Sequence, residues 1–584
     1  MTFSVMICGT ASDVGKTRIA TGLCRVFARK GIRVAPFKAQ NMSLNSYVTF
    51  DHREVARSVA SQAQAAKCDL EVDMNPILLK PMSEAKSQLV LLGKAHSERH
   101  AADYIDESPY VKDLLDIVKT SYMSLNDKFD MIIAEGAGGA AEINLLKNDI
   151  VNLPLAYELG IPVVLVADIE RGGVFASIYG TYKILPDHLR GQLAGFIINK
   201  MRGDQDLLAS GIRWLEENTT MRCLGIVPYT QGLLVDGEDS LSYEKSYNYA
   251  DTRYLSNPVE NKTRQNDNFA GDSGKKDAEQ TPFSTPKRFG KYQPVEMLDI
   301  AVVRFPHLAN YTDFDPLTLE RCTSLRFISS WEEIANPDLV ILPGSKDTVR
   351  DLLWMKERSI DLAICDLAGT KTTIVGICAG YQMLGREITD TVESKLAVVA
   401  GMNLLPVKTV FAPEKITKLT YGSALFPNEN PIAAYEIHHG RIFPAEKNSV
   451  LPFMKLGMSE ARGSLSEEEW QQYYFQGSDL LVSWQRADCY SARQEDPGLY
   501  EGCLNADKTV LGTSLHGIFE SDRFRESFLN HIAERANKKI VTGDFSYDSV
   551  REKTIDTLAD LCEKYIDIDL LADICRQYEQ RRLL

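Results

Sequence analysis

The residues of this chain best suited to chemistry fall into two clusters far apart in the sequence. Near the start, Gly9-Thr10-Ala11-Ser12-Asp13-Val14-Gly15-Lys16-Thr17 has the composition of a loop that wraps polyphosphate. Backbone N–H groups of such a turn point at phosphate oxygens, the Lys16 ammonium offsets charge on the terminal phosphates, and the Thr17 hydroxyl reaches a divalent cation. Gly9, Thr10, Asp13, Gly15, Lys16 and Thr17 are therefore the expected nucleotide-binding residues. Far downstream, Gly376-Ile377-Cys378-Ala379-Gly380 sets a thiol between small residues, as a sharp strand-to-helix turn requires if the sulfur is to stand in a cleft. Thiolate is the attacking form, and a helix beginning just beyond Cys378 favours it. The thiol needs a base. Among the 9 histidines, His516 in Gly512-Thr513-Ser514-Leu515-His516-Gly517 has the best context, after an apolar run and before a helical pattern. The turn Pro343-Gly344-Ser345-Lys346-Asp347 follows another apolar run and offers backbone N–H groups, with Gly344 the expected oxyanion residue.

A metal beside the phosphates needs a further hard oxygen, best placed at the carboxyl end of a neighbouring strand. Glu135 meets that requirement, closing the run Met131-Ile132-Ile133-Ala134 and entering Gly136-Ala137-Gly138-Gly139. Asp168 holds the analogous place after Val163–Ala167, before Arg171-Gly172-Gly173, and is expected to assist a metal or orient substrate. A chain that handles a nucleotide in one half and attacks a carbonyl in the other suggests amide synthesis in two parts. On that expectation one half would activate a carboxylate with ATP and the other would supply ammonia from glutamine.

Short apolar runs must carry these groups. In the first half they are Phe3–Cys8, Ile32–Pro36, Met131–Ala134, Pro162–Ala167, Gly195–Ile198 and Cys223–Val227, and Arg18–Arg29 reads as a helix. Asp299–Val303, Leu339–Leu342, Ile374–Ile377 and Val510–Thr513 repeat the style in the second. Near-continuous hydrophobicity is what a strand covered on both faces requires, so parallel sheets with crossover helices are expected. At 584 residues the chain exceeds one core, and two large α/β units are expected: 1–242 for ATP and amide synthesis, and 297–584 for glutamine, ending in a helical tail. Residues 243–296 are polar and read as a flexible linker or insertion. In the tail, Leu558, Leu561, Tyr565 and Ile568 recur at helical spacing and are expected to pack in a core.

Composition narrows the function. A net charge of -15 argues against a nucleic-acid binder, so an anionic substrate must be met by local Lys and Arg. The 11 cysteines show neither zinc-knuckle spacing nor a disulfide framework. Reduced thiols, no signal-like flank and no apolar run of about 20 residues lead to the expectation of a soluble, cytoplasmic protein without membrane contact.

The segment from Gly376 to Gly385 resembles the nucleophile segment of the class I glutamine amidotransferases. The runs Pro36–Ser46, Asp73–Pro81, Asp168–Ala176, Asn310–Leu317 and Tyr435–Arg441 resemble the cobyric acid synthase family, and the likeness covers nearly the whole chain. The phosphate loop, one residue longer than the usual spacing, resembles that of dethiobiotin synthetase and its relatives, whose adenine-side motif Asn199-Lys200 resembles. The resemblance implies a fold class of α/β with two doubly wound domains: an N-terminal P-loop NTPase-like parallel sheet and a C-terminal class I glutamine amidotransferase (flavodoxin-like) sheet. It implies ATP and Mg²⁺ as cofactors, with Thr17 and Glu135 on the metal, and glutamine and a corrinoid as small-molecule partners. It also implies amidation of adenosylcobyrinic acid a,c-diamide at its b, d, e and g side chains. Lys38, Lys80, Asp168 and Arg171 become expected substrate-binding residues, and Cys378 and His516 the thioester-forming pair.

The sequence departs from these families in three places. Relatives have a short connection where this chain carries 243–296, and His439 stands where a hydrophobic residue is commoner. Ile518 occupies the position of the acid that completes a triad, so a Cys–His dyad is expected, with Glu436 or Glu520 as remote orienting acids. Rival readings are cobyrinic acid a,c-diamide synthase, a nucleotide switch of the partitioning-ATPase type, and an inactive cysteine domain with free ammonia as donor.

Overall fold

Six of the apolar runs in the first half pair side by side in a parallel sheet, in the order Arg222–Pro228, Leu193–Met201, Val163–Asp168, Phe3–Gly9, Met131–Glu135, Val34–Phe37. The computed structural model describes residues 2–583 except 84–85, 101–108, 231, 234–295, 447–449, 458–499 and 544. The expected linker therefore lies, but for its last residue, outside the described residues. Helix Lys16–Arg29 begins directly after the phosphate loop. Because every strand runs the same way, the loop, Glu135, Asp168 and Asn199 all emerge at the carboxyl edge of the sheet. That edge is where open α/β sheets hold ligands.

A smaller sheet, which the apolar runs did not reveal, stands beside this one. Gln40–Met42 pairs parallel with Ile77–Ser83, followed by antiparallel Lys86–Leu91 and Lys94–His100. It carries Lys80 away from the phosphate loop and towards the other half of the molecule.

In the second half Thr323–Ile328, Leu298–Val303, Leu339–Leu342, Thr373–Ile377 and Val510–Thr513 form the expected parallel core. It is one side of an 11-stranded sheet that continues antiparallel through Tyr500–Leu504, Leu451–Leu456 and the long ribbon of Val407–Ala424 with Asn430–Pro444. The expected flavodoxin-like sheet is the parallel core, and the antiparallel strands extend it at one edge. Val407–Ala424 alternates buried with more exposed residues at both ends, and Asn430–Pro444 buries the polar Glu436, His438 and His439 among its apolar residues, so neither strand left a continuous apolar run.

The tail was expected with the second unit, yet it packs on the first. Ile555, Ala559, Cys562, Ile566, Ile568 and Leu571 share a core with Val5, Ile7, Leu23 and Val26. Of the anticipated stripe, Leu558 and Ile568 are buried, while Leu561 and Tyr565 are half-buried. Arg25, itself buried, pairs with Glu552 at 2.9 Å and Asp556 at 2.8 Å across the same contact. Helix Asp522–Ala536 before it stays with the second sheet through Phe524, Phe528 and Leu529. Each buried aliphatic side chain contributes roughly 1.5–3 kcal/mol, so the apolar face of the tail decides which sheet it covers. Among the described residues no helix is long and apolar enough to cross a membrane.

Candidate active site

At the nucleotide edge, Gly15 has φ 99° and caps helix Lys16–Arg29. A side chain there would meet Nδ2 of Asn199 at 2.3 Å, so only glycine fits. Asn199 donates to the Val14 carbonyl at 2.8 Å, and Lys200 donates to the Asp13 carbonyl at 2.7 Å and to Asp168 at 2.8 Å. These residues brace the phosphate loop from the neighbouring strand. Lys16 donates to the carbonyls of Ala11 at 3.2 Å and Gly138 at 2.9 Å, which curls it over the loop. Thr10 joins the loop to the sheet through the Val166 carbonyl at 3.0 Å, and the Gly9 carbonyl accepts from Ala140 at 2.8 Å.

Thr17 donates to Oε1 of Glu135 at 2.8 Å, and Lys38 approaches the same oxygen at 3.1 Å with both side chains fully buried. Gln62 donates to the other carboxylate oxygen at 2.5 Å, and its own Oε1 is buried without a hydrogen-bond partner. This donor set fits Mg²⁺: hard oxygens from Thr17 and Glu135, an unpartnered amide oxygen beside them, and phosphates and water to complete the shell. Among the described residues no cluster of three or more His, Cys, Asp or Glu gathers to hold a metal by itself. Lys38 is paired within this cluster, and Arg171 is exposed on the loop after Asp168. Those two expected substrate contacts therefore occupy very different settings.

At the other site Cys378 adopts φ 52° and ψ -104°, a strained turn held by its neighbours. Gly380 must lack a side chain because a Cβ would lie 1.9 Å from the Leu342 carbonyl oxygen. The thiol and His516 open on one cavity of about 40 Å³, together with Gly344, Lys346 and His439. Lys80, from the smaller sheet of the first half, lines the same cavity. The strand-to-loop turn at Gly512–Gly517 brings the buried His516 ring to the same cavity as Cys378, near enough for the charges of the two groups to interact.

The expected dyad is corrected here. Nδ1 of His516 meets Oδ2 of Asp313 at 2.7 Å, and the Gly517 amide donates to Oδ1 at 2.8 Å. Glu436 instead serves His438 at 3.0 Å and Lys418 at 3.0 Å, and Glu520 accepts from Arg57 at 2.6 Å. Burial alone would lower the imidazole, but the charges of Asp313 and Cys378 outweigh it and push His516 up to about 10. Those two charges favour the protonated form of the ring. Nothing in the sequence links Asp313 to His516, 203 residues away, since only the fold brings the two together. The signal for Asp313 was its place in Asn310–Leu317, a segment already singled out.

Lys80 is not a free cation on a substrate face. It donates to Ser46 at 3.0 Å and to Oε1 of Glu54 at 2.6 Å, while Lys415 from the long ribbon donates to Oε2 of Glu54 at 2.6 Å. Lys80 and Glu54 are buried and Lys415 nearly so, which makes this a polar bolt between the halves. Although burial opposes it, Lys415 and Lys80 hold the Glu54 carboxyl well below the usual range. Burial, with Lys80 and Lys346 added and Glu54 only partly compensating, brings Lys415 down to about 8. Several ammonium groups sharing few carboxylates account for both directions.

Two family descriptions match the chain: the CobQ/CobB/MinD/ParA nucleotide binding domain at residues 5–240 and the CobB/CobQ-like glutamine amidotransferase domain at residues 299–472. A cobyric acid synthase of Geobacillus sp. (strain WCH70) is 37% identical over 99% of this chain and 98% of its own length. The chain belongs to the cobyric acid synthase family. A second such synthase, from Clostridium acetobutylicum, is 36% identical over 97% of each chain. Like that family, this chain is a glutamine-dependent amidating ligase, with its nucleotide-binding half first and its glutamine amidotransferase half second.

Proposed function

We propose that the enzyme acts in cobalamin biosynthesis and amidates the b, d, e and g carboxylates of adenosylcobyrinic acid a,c-diamide, giving adenosylcobyric acid, with one ATP and one glutamine consumed at each. The observation that carries the reading is the Asp313–His516–Cys378 array in a cavity that the first half itself lines through Lys80. We assign the ATP-handling unit to residues 1–242 and the glutamine-handling unit to the region that starts at residue 297.

The Cys378 thiolate attacks the side-chain amide carbon of glutamine, with Gly344 in the turn assigned to the developing oxyanion. His516 delivers its proton to the departing nitrogen, and ammonia leaves as the thioester forms. Water, its proton taken by the now neutral ring, then cleaves the thioester to glutamate and returns the thiol. Asp313 holds the ring tautomer throughout, as the acid of a triad does.

In the first half a substrate carboxylate displaces ADP from the γ-phosphate, and ammonia then replaces phosphate on the acyl phosphate, leaving an amide. Lys16 and the loop amides neutralise the phosphates while Asn199 and Lys200 keep the loop in shape. Mg²⁺, when held by Thr17 and Glu135, supplies charge neutralisation on the phosphate oxygens. Asp168 and Arg171, at the same sheet edge, are assigned to substrate, and Lys38 to positioning Glu135. The cytoplasm, where ATP and glutamine are plentiful and thiols stay reduced, suits this chemistry.

Mass spectrometry of the a,c-diamide incubated with ATP, Mg²⁺ and glutamine tests the reading. Stepwise conversion of four acids to amides is the expected result. An untouched diamide, with cobyrinic acid converted at a and c instead, would refute it.

A further inference from the structure

The turn that carries Asp313 is not held by its own half alone. Asn310, at φ 52° and ψ 43°, opens the tight turn Tyr311–Phe314, and its carbonyl accepts from the Asp313 amide at 3.0 Å. A left-handed asparagine persists where surroundings fix it, and here the fixing groups come from the first half. The Ser46 amide donates to Oδ1 of Asn310 at 2.9 Å, and the Asn310 amide donates to the Leu44 carbonyl at 3.3 Å. One residue before Asp313, the Thr312 hydroxyl donates to Oδ1 of Asn45 at 3.1 Å.

Asn45 is itself locked. Its amide donates to the Ser43 hydroxyl at 3.0 Å, and its carbonyl accepts from the Arg57 amide at 3.0 Å at the start of helix Arg57–Ala66. Its Nδ2 is buried without a hydrogen-bond partner, so the side chain is kept in place by its one acceptor contact to Thr312 despite an unmet donor. Asn45, Asn310, Thr312 and Asp313 are all buried, and water cannot substitute for these bonds. A second contact from the same stretch reaches the histidine. The Tyr47 ring meets Tyr435 edge-on at 5.0 Å, and Tyr435 stacks on His516 at 5.5 Å.

We propose that Asn45 of the nucleotide-binding half is a positioning residue for glutamine hydrolysis: through Thr312 and the Asn310 turn it sets the place of Asp313, and thereby of the His516 ring. The proposal rests on the reading of Cys378 and His516 given above. The glutamine site is complete only when residues 44–46 of the other half are seated against it. Hydrolysis of glutamine is therefore a property of the whole chain.

The test uses the full-length enzyme with three variants, Asn45→Ala, Thr312→Val and Thr312→Ser. Glutamine hydrolysis and amidation supported by either glutamine or ammonium chloride are each measured across pH. Asn45→Ala and Thr312→Val should lower kcat for glutamine hydrolysis about tenfold with KM nearly unchanged, and should draw its alkaline limb to lower pH. Thr312→Ser, which keeps the donor, should restore kcat, and ammonia-supported amidation should match the native rate in all three. Native kcat and pH limb in Asn45→Ala would overturn the proposal. So would an equal fall of ammonia- and glutamine-supported rates, which marks a merely structural role. Cys378→Ala separates the two readings: if it still hydrolyses glutamine, the assignment of the thiol has failed rather than the role of Asn45.

Discussion

Replacing Asp313 with Asn removes one charge and changes little else. Asn fills the same volume; if its Oδ1 keeps accepting from Nδ1 of His516, its NH2 group faces the Gly517 amide, so the turn gives up one hydrogen bond while the fold should survive. What is lost is the charge-assisted character of the 2.7 Å contact. Bonds to charged groups are worth about 1.5–3 kcal/mol, and each 1.36 kcal/mol is tenfold in rate, so glutamine hydrolysis should fall roughly 10- to 100-fold. With Asp313 neutral, Cys378 alone opposes burial, and the imidazole of His516 drops from about 10 towards or below its ordinary value of 6.5. The alkaline limb of kcat/KM for glutamine should then move to lower pH. The sign for stability follows: a histidine raised on folding stabilises fully below its unfolded value and loses that contribution as pH rises through about 10. The variant should lack that alkaline loss. Glutaminase assays from pH 5 to 10, with ammonia-supported amidation as control, measure all of this. An unchanged rate and an unchanged limb would mean that Asp313 does not act on His516, and the triad would be refuted.

Other expected outcomes bear on separate parts of the molecule. Cys378→Ala should abolish glutamine-supported amidation and leave ammonia-supported amidation near native, as read by amide formation with each nitrogen source. Lys16→Ala should lower amidation at least about 100-fold with either source, because charge on the transferring phosphate loses its partner; ATP-binding and product assays check it. Glu54→Gln leaves Lys80 and Lys415 buried without their shared carboxylate, and a broken buried pair costs about 3–5 kcal/mol, visible as a lower Tm. Glu501, which accepts from Thr513 and the Ser514 amide at 2.6 Å each, is raised by burial and by Glu436 from 4.5 to about 7. Its contribution is full below pH 4.5 and lost as pH rises through about 7, so Glu501→Gln should flatten the fall of Tm between those values.

The parallel cores were legible because a strand covered on both faces must be apolar throughout, and Leu339–Leu342 and Val510–Thr513 have the very bounds expected of them. The phosphate loop and the thiol turn were legible for a related reason. Glycine at Gly15 and Gly380 answers to local sterics that no distant residue can supply. Local rules end there. The ribbon Val407–Ala424 is half wet and alternates, so its residues gave no run, and Lys415 on it could not be connected with Glu54, 361 residues away. Lys80 and Lys38 were read as cations for a ligand, because a lysine in sequence carries no sign of the buried carboxylate waiting for it. Glu54 and Glu135 supply those carboxylates.

The course of the tail gives the two halves a fixed relation that polar contacts alone would not. The chain leaves the second sheet after helix Asp522–Ala536 and returns to the first, where helix Tyr547–Tyr565 lies along helix Lys16–Arg29. At the crossing the Tyr547 amide donates to Asp522, and Arg551 reaches Ser61 and Gln64 on helix Arg57–Ala66. That helix begins at Arg57, which joins Glu520 beside the His516 loop, and includes Gln62, which touches Glu135. The apolar seat of the tail is thus a source of stability remote from either site, while the Asn45 and Glu54 contacts are short-range and geometric. An interface built from buried polar groups tolerates little displacement, since each lost bond leaves an unmet charge or donor. Holding the halves by an apolar strap allows the polar junction to be used for alignment rather than adhesion. The thiol cavity, lined by both halves, then keeps one shape.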